Sequence, residues 1–477
     1  MLSVVLITVL SAGAAGFVIK WLLDQNTEPG APKITWREFK IVMACTPVLA
    51  MLTAWAGWAM ARSSNMTFYE YHNGWEVSAI KSQITCSRDG PCRWEYDCDP
   101  YIVMVSYDCN CTTDDKGHTS CSTCWRPETR YHDCPYVNRE YNYSIKTTLG
   151  EYDVVSYVFP DNPQANRWRV SESIPQSVIN SAGVGDPPFW TEVRKRCEAN
   201  APGPVSKRSS YNNYILASER TLMKQYSSDI EDYKKKGLLP DLPKSIEYLY
   251  GTNKVRFIGS KPWNYRAWER GVEYLNGALG TQLRGDLMLV IVNNPSVSSN
   301  PERYTLALKA HWQDKTAYGA DALPKNAMVV VLGTDDGNII SWSRAFTAMP
   351  LGNEKMTTVL RDGLKGLPMV PEKIIGPIQS RRDQKGVWYP PDSNGIMLPR
   401  ILWGIDDPST KFIRVSMSGD DGKGGFLYLK GEIQPTTGQA WAIGIVSFIL
   451  CIGIWLWAAN HRDTSEGPTR FGGYHRR

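Results

Sequence analysis

Residues 440–460 read AWAIGIVSFILCIGIWLWAAN, an unbroken apolar run with Trp441 near its start and Trp455 and Trp457 near its end. About 20 apolar residues of helix cross the hydrocarbon core of a bilayer, and Trp gathers at the two interfaces. Two more such runs stand at the other end of the chain, over residues 1–18 and 41–60, the first followed by Lys20 and Trp21. The expectation is a membrane-anchored α+β protein with three transmembrane helices, at residues 1–23, 41–61 and 439–459. The small residues Ser11 to Gly16 would suit cleavage of a signal peptide, but no basic segment precedes the first run.

Lys and Arg beside the spans set orientation. The loop of residues 24–40 carries Lys33, Arg37 and Lys40, and the tail of residues 460–477 carries Arg462, Arg470, Arg476 and Arg477. Both read as cytoplasmic, which puts residues 62–438 on the non-cytoplasmic face of a cell membrane as one large domain of a multi-pass protein. Ionisable residues are nearly absent from the spans, which argues against a channel or transporter. A net charge of +5 over 477 residues is too small and dispersed to imply nucleic acid. With 42% apolar and 21% charged residues the chain can bury a sizeable core.

Eleven cysteines are present, and Cys45 and Cys451 fall within the spans as apolar filler. The other nine are Cys86, Cys92, Cys98, Cys109, Cys111, Cys121, Cys124, Cys134 and Cys197. Outside the cytoplasm such a cluster oxidises to disulfides that staple a loop-rich module. The competing reading is zinc. Cys109-x-Cys111 and Cys121-x-x-Cys124 are two close pairs of the kind that bring four thiolates to a tetrahedral ion, with His118 and His132 nearby. No thioredoxin-like pattern surrounds Cys121-x-x-Cys124, so redox catalysis has little support. Alternating stretches at Tyr101–Tyr107 and Tyr141–Tyr152 predict short strands, hence a small cysteine-rich β module over residues 62–200. Asn65, Asn110 and Asn142 each open a glycosylation sequon.

Residues 201–246 read as a linker, through Ala201-Pro-Gly-Pro204, followed by an amphipathic helix from Ile215 to Tyr233 that Gly237 and Pro240 end. Residues 247–370 turn α/β. A strand at Tyr248–Ile258, a helix at Trp263–Leu279 and a continuous apolar strand at Leu287–Val292 come first. A helix at Pro301–His311, a second buried strand at Ala327–Leu332, a turn at Thr334–Asn338, a returning strand at Ile339–Phe346 and a helix to Leu364 complete it. That order predicts a mixed sheet layered with helices. Residues 371–438 are Pro- and Gly-rich and read as a β segment, with Gly419–Gly425 a turn and Phe426–Leu429 a last strand.

The stretch from the helix ending at Leu279-Gly280, through Gly285-Asp286-Leu-Met-Leu-Val-Ile-Val-Asn293, to Asp321–Gly333 and Asp335-Asp336, resembles the TPM family. Residues 268–366 carry the likeness, and it implies a layered α/β domain with a mixed sheet, tethered outside the cytoplasm. Members of this family occur as a thylakoid acid phosphatase, a photosystem repair protein and a channel accessory subunit. Where members usually carry a Gly-Tyr-Gly-Leu type of stretch, this chain reads Arg344-Ala-Phe-Thr-Ala-Met-Pro-Leu-Gly352.

Two chemistries compete at the turn. Asp335 and Asp336, with Arg344 on the returning strand, could hold a metal for hydrolysis of a phosphomonoester, or the two carboxylates and the Asn338 carbonyl could hold calcium. The bland reading is that Asp-Asp-Gly-Asn is turn chemistry. His311 and Asp314 lie close in sequence without an activated nucleophile beside them, so no catalytic residue is assigned. The sequence favours an interaction, accessory or assembly factor whose partners are the lipid bilayer and a membrane or envelope protein. A zinc-stabilised envelope protein of a virus or phage fits the same features.

Overall fold

A computed structural model of the chain describes residues 1–26, 35–83, 93–113, 119–137, 141–157, 167–170, 183–184, 186–246, 253–376, 397–419 and 425–460. The fold is mixed α+β, with three long apolar helices beside a domain of sheets and helices.

Helices α1 (Leu2–Asn26) and α2 (Trp36–Met66) and the C-terminal helix Thr437–Asn460 are each long and apolar enough to cross a membrane. They pack on one another. Ala12, Ala50 and Cys451 meet in one seam, Thr53 Oγ1 donates to Ser447 Oγ at 3.0 Å, and the Phe39 ring packs between Phe17 and Trp455. Gly16 is required there, because a Cβ would run into the Trp455 indole. At 31 residues α2 outruns the expected span of 41–61 at both ends. A capping box explains its start: Glu38 N–H donates to Thr35 Oγ1 while Thr35 N–H donates to the Glu38 carboxylate at 2.7 Å.

Strand β1 (Thr67–Gln83) follows α2 without a linker. Strands β2 (Arg93–Thr113) and β3 (Thr119–Val137) pair, among the described residues, with each other alone, as a ribbon. Strands β4 (Tyr141–Thr147), β5 (Gly150–Tyr157), β6 (Arg167–Val170) and β7 (Gly183–Val184), helix α3 (Pro188–Glu198) and strand β8 (Pro204–Asn212) then build a sheet of order β7-β6-β5-β4-β1-β8. Thus residues 204–212 are an edge strand, Phe68 facing Tyr211 and Tyr71 facing Arg208, where the sequence suggested a linker. The amphipathic helix is two, α4 (Leu216–Gln225) and α5 (Ser227–Lys235), broken at Tyr226.

Strand β9 (Val255–Gly259), helix α6 (Tyr265–Gln282) and strands β10 (Asp286–Asn293), β11 (Ala327–Gly333) and β12 (Trp342–Thr347) form the expected mixed sheet, order β12-β11-β10-β9. β9, β10 and β11 run parallel and β12 returns antiparallel. Alternate residues serve opposite faces. Leu287, Leu289 and Ile291 pack with α6 and the helix Glu354–Gly363, whereas Met288, Val290 and Val292 pack with α5 and the helix Pro301–Trp312.

The two sheets meet where β1 crosses α6. Trp75 stacks on Tyr274 with ring centroids 4.9 Å apart. A Cβ on Gly280 would stand 2.3 Å from the Asn73 carbonyl oxygen, so only glycine admits the strand this closely. Charges buried along β1 are all answered. Asp286 takes Lys254 Nζ and Asn73 Nδ2, each at 2.9 Å; Glu76 takes Arg196 at 2.6 Å and Gly203 N–H at 2.7 Å; Glu70 takes Arg414, with Lys325 at 3.8 Å.

Residues 371–438 are not a β segment among the described residues, whose elements there are short helices at Pro371–Ile374, Met397–Leu402, Pro408–Thr410 and Leu427–Glu432. Phe426 and Leu429, three apart, face Met66 and Phe68 while Leu427 and Tyr428 are exposed, which is helical spacing. The tail of residues 461–477, with its basic residues, and most of the turn at Gly419–Gly425 lie outside the described residues.

Candidate functional site: a disulfide-stapled ribbon

The β2–β3 ribbon keeps antiparallel register from Arg93 opposite Val137 to Thr113 opposite Thr119, with irregularities at Cys98/Tyr101 and Cys109/Thr112. A free two-stranded ribbon is marginal in water. Here two nested disulfides, Cys109–Cys124 and Cys111–Cys121, cross its turn end with Cα–Cα separations of 5.8 and 4.0 Å. Asn110 between them adopts φ +48°, a left-handed conformation that Asn tolerates better than most residues. These four sulfurs are bonded pairwise, so in this oxidised form none is a thiolate that zinc could take.

Among the other cysteines, Cys98 and Cys134 lie on β2 and β3 opposite His132 and Tyr96, and their side chains are outside the described residues. Cys86, Cys92 and His118 fall outside altogether. Cys197 is half-buried on α3, against the cluster of Phe189, Trp190 and Val193.

Directly opposed residues share a face of the ribbon. One face sets Ile102, Met104 and Ser106 against Thr129, Pro127 and Trp125. Ile102 is 72% exposed, Met104 52% and Trp125 62%. The other face sets Tyr101, Val103, Val105 and Tyr107 against Arg130, Glu128, Arg126 and Cys124, with the Arg126 guanidinium 5.7 Å from the Tyr107 ring centre. Among the described residues neither β2 nor β3 pairs with a further strand, which leaves both outer edges of the ribbon as sheet edges. Sequence reading found the strand and the cysteines but not this surface. Its one signal is five hydrophobic residues running consecutively from Tyr101 to Val105, more than one buried face needs.

Of the proposed metal residues, Asp336 and Asn338 are engaged in holding a turn. Asp336 Oδ1 accepts from Asn338 N–H at 2.9 Å, Ile339 N–H at 3.2 Å and Thr334 Oγ1 at 3.3 Å. Those backbone donors hold its carboxyl below the usual range. Gly337 takes φ +80°, as the turn requires. Asn338 gives its carbonyl to Met369 N–H at 2.7 Å, and Arg344 pairs with Glu302 at 2.7 Å rather than with Asp335 or Asp336. Among the described residues no three His, Cys, Asp or Glu side chains gather as a metal site.

His311 is buried, which with the charge of Lys234 lowers it to about 4, and its Nε2 meets the Tyr318 hydroxyl at 2.8 Å. Asp314 instead caps the short helix Lys315–Tyr318 through Thr316 N–H, so the two are no catalytic pair. The sequon at Asn65 is sealed: its Nδ2 donates to Gln439 Oε1 at 2.9 Å and its Oδ1 accepts from Gln439 Nε2 at 3.1 Å. Asn110 is exposed on the ribbon, and the side chain of Asn142 is not described. No family model, curated protein or solved structure matches this chain.

Proposed function

We propose that the protein is a multi-pass membrane protein that presents its large domain on the non-cytoplasmic side and acts there as an interaction or assembly factor. The carrying observation is the stapled ribbon, whose apolar residues Ile102, Met104 and Trp125 are exposed on a scaffold that does not use them for its own core. Contiguous apolar surface of this kind marks contact with another macromolecule, and open strand edges supply backbone hydrogen bonds to a partner strand. The occupant is a membrane or envelope protein that adds a strand or an apolar face to the ribbon.

Two features support the anchoring. The end of α2 and the start of the C-terminal helix meet at Asn65 and Gln439, so both tethers enter the domain at one place. Val4 near the start of α1 lies beside Gly444, so the chain's N-terminus comes to that same end of the bundle. The disulfides favour an oxidising compartment. The order α6-β10-helix-β11-β12-helix supports the TPM-like reading of residues 268–366, and the use of Asp336 in its own turn and of Arg344 in a pair with Glu302 favours an accessory domain over a phosphatase.

The test places a photo-crosslinker at Met104 of the full chain in its native membranes, with Glu192 on α3 as control. The reading expects one reproducible protein adduct at Met104, none at Glu192, and its loss in Trp125→Lys. Monomer alone at both positions overturns it.

A further inference from the structure

Between α4 and the helix Pro301–Trp312 lies a cavity of about 460 Å3 whose lining includes Ile215, Ser218, Glu219, Leu222, Lys309 and Gln313. Small-molecule sites run from roughly 300 to 1,000 Å3. Three of these side chains are incompletely satisfied by the protein itself. Glu219 is 7% exposed, and its two oxygens accept from the single amide nitrogen of Asn213, each at 3.0 Å. Among the described residues no Lys, Arg or His stands within ion-pair distance of it. Lys309, on the facing helix, has no carboxylate within that distance either, and its ammonium lies 5.9 Å from the centre of the Phe346 ring. Gln313, one helical turn further on and 5% exposed, donates Nε2 to the Ala348 carbonyl at 3.3 Å and leaves Oε1 buried with no donor.

A buried acceptor left without a donor loses its hydration uncompensated, and native proteins keep few of them. Burial pushes Glu219 up to about 7 against the pull of Asn213, Lys309 and Lys315, and it lowers Lys309. What the cavity lacks is a donor-rich cation for Glu219 and Gln313 Oε1, and an anion for Lys309. A ligand that carries both supplies them together.

We propose that this cavity binds a small zwitterion, a primary amine bearing a phosphate or carboxylate a few bonds away, with its ammonium on Glu219 and Gln313 Oε1 and its anion on Lys309 Nζ. Two sources share that chemistry, a free metabolite and the headgroup of an amine-bearing phospholipid. The second follows from position. Ile215 shares a cluster with Met66, the last residue of α2, and with Phe68 just beyond it, and Lys315, two residues beyond Gln313, donates Nζ to the carbonyls of Ser64, Asn65 and Thr67 at 2.8, 2.7 and 3.2 Å. The cavity therefore adjoins the end of an apolar helix. The inference uses nothing of the ribbon and stands or falls apart from it; only its lipid source rests on the membrane reading.

The experiment titrates O-phosphoethanolamine into the full chain in phosphatidylcholine nanodiscs by calorimetry, then repeats it in discs containing phosphatidylethanolamine. Binding in the first disc, weakened at least tenfold by Glu219→Gln and by Lys309→Met, is the expected result. If phosphatidylethanolamine competes and stays with the protein in native mass spectrometry, the headgroup is the source; if it leaves the titration unchanged, the free compound is. No binding in either disc with no retained phosphatidylethanolamine, or binding that both variants leave intact, overturns the proposal. Should the charge variants not fold, Gln313→Met decides: it removes the orphan acceptor and keeps both charges, and an unchanged affinity in this variant also overturns the proposal.

Discussion

Every residue of β11 is buried, and the sheet it centres stays together without a covalent bond; the β2–β3 ribbon has exposed apolar side chains on both faces and is closed by two disulfides. The first region draws its stability from area removed from water and from buried ion pairs such as Asp286–Lys254. The second draws its stability from cross-links that restrict the unfolded chain, which leaves its side chains free to face outward. Surface not needed for folding is surface available for recognition, so the site is sought where the core is missing.

This contrast can be broken most forcefully in the core. Asp286→Ala strands Lys254, 3% exposed, without a carboxylate, and removal of one partner from a buried pair costs about 3–5 kcal/mol. Denaturant unfolding of the solubilised chain should show that loss, and a cost under about 1 kcal/mol would mean the core tolerates an unanswered charge after all.

Acid should also separate the regions. Burial works to raise Glu70, but His72, Arg414 and Lys325 hold it at about 2 against an ordinary 4.5. A depressed carboxylate contributes stability that is complete above pH 4.5 and is lost as pH falls towards 2, here on the order of 3 kcal/mol. Glu219, raised from 4.5 to about 7, acts with the opposite sign, so stability declines as pH rises from 4.5 to 7 and Glu219→Gln flattens that decline. Thermal melts across pH 2.5–7.5 check both arms.

The ribbon answers to a different treatment. The Cys109–Cys124 bond closes a separation of 15 residues, so replacing both cysteines with serine should cost roughly 2–4 kcal/mol locally. Hydrogen exchange should then speed up in β2 and β3 and stay unchanged in β10 and β11. Parallel loss in both regions would show that the ribbon is part of the core's folding unit. The smallest effect is expected from Trp125→Lys, which should alter stability by less than about 0.5 kcal/mol while removing the crosslinked adduct.

Much of the core was legible because its residues are monotonous. The apolar runs Leu287–Val292 and Ala327–Leu332 have no face to offer water, and Trp268, Val272, Leu275 and Leu279 on α6 keep a strict helical stripe. Edge elements were not legible. Pro204-Val-Ser-Lys-Arg-Ser-Ser-Tyr-Asn212 is polar and follows Pro-Gly-Pro, and only the register with β1 makes it a strand. Nor could spacing choose the nested cysteine pairing, since that depends on which residues face each other across the ribbon. Asp335 and Asp336 looked like ligands because turns and metal sites draw on the same acidic residues. The cavity was invisible for a simpler reason: its polar members come from stretches that lie about ninety residues apart, Asn213–Glu219 and Lys309–Gln313.

The passage from α2 into β1 carries a mechanical consequence. A helix of 31 residues is about 46 Å long, against a hydrocarbon thickness of ~30 Å, and no hinge separates Met66 from Thr67. With Lys315 and Gln439 gripping the same turn, helix and sheet form one stiff lever. A change of a few degrees in the direction of the last turns of α2 would then swing the distant strands by several ångströms.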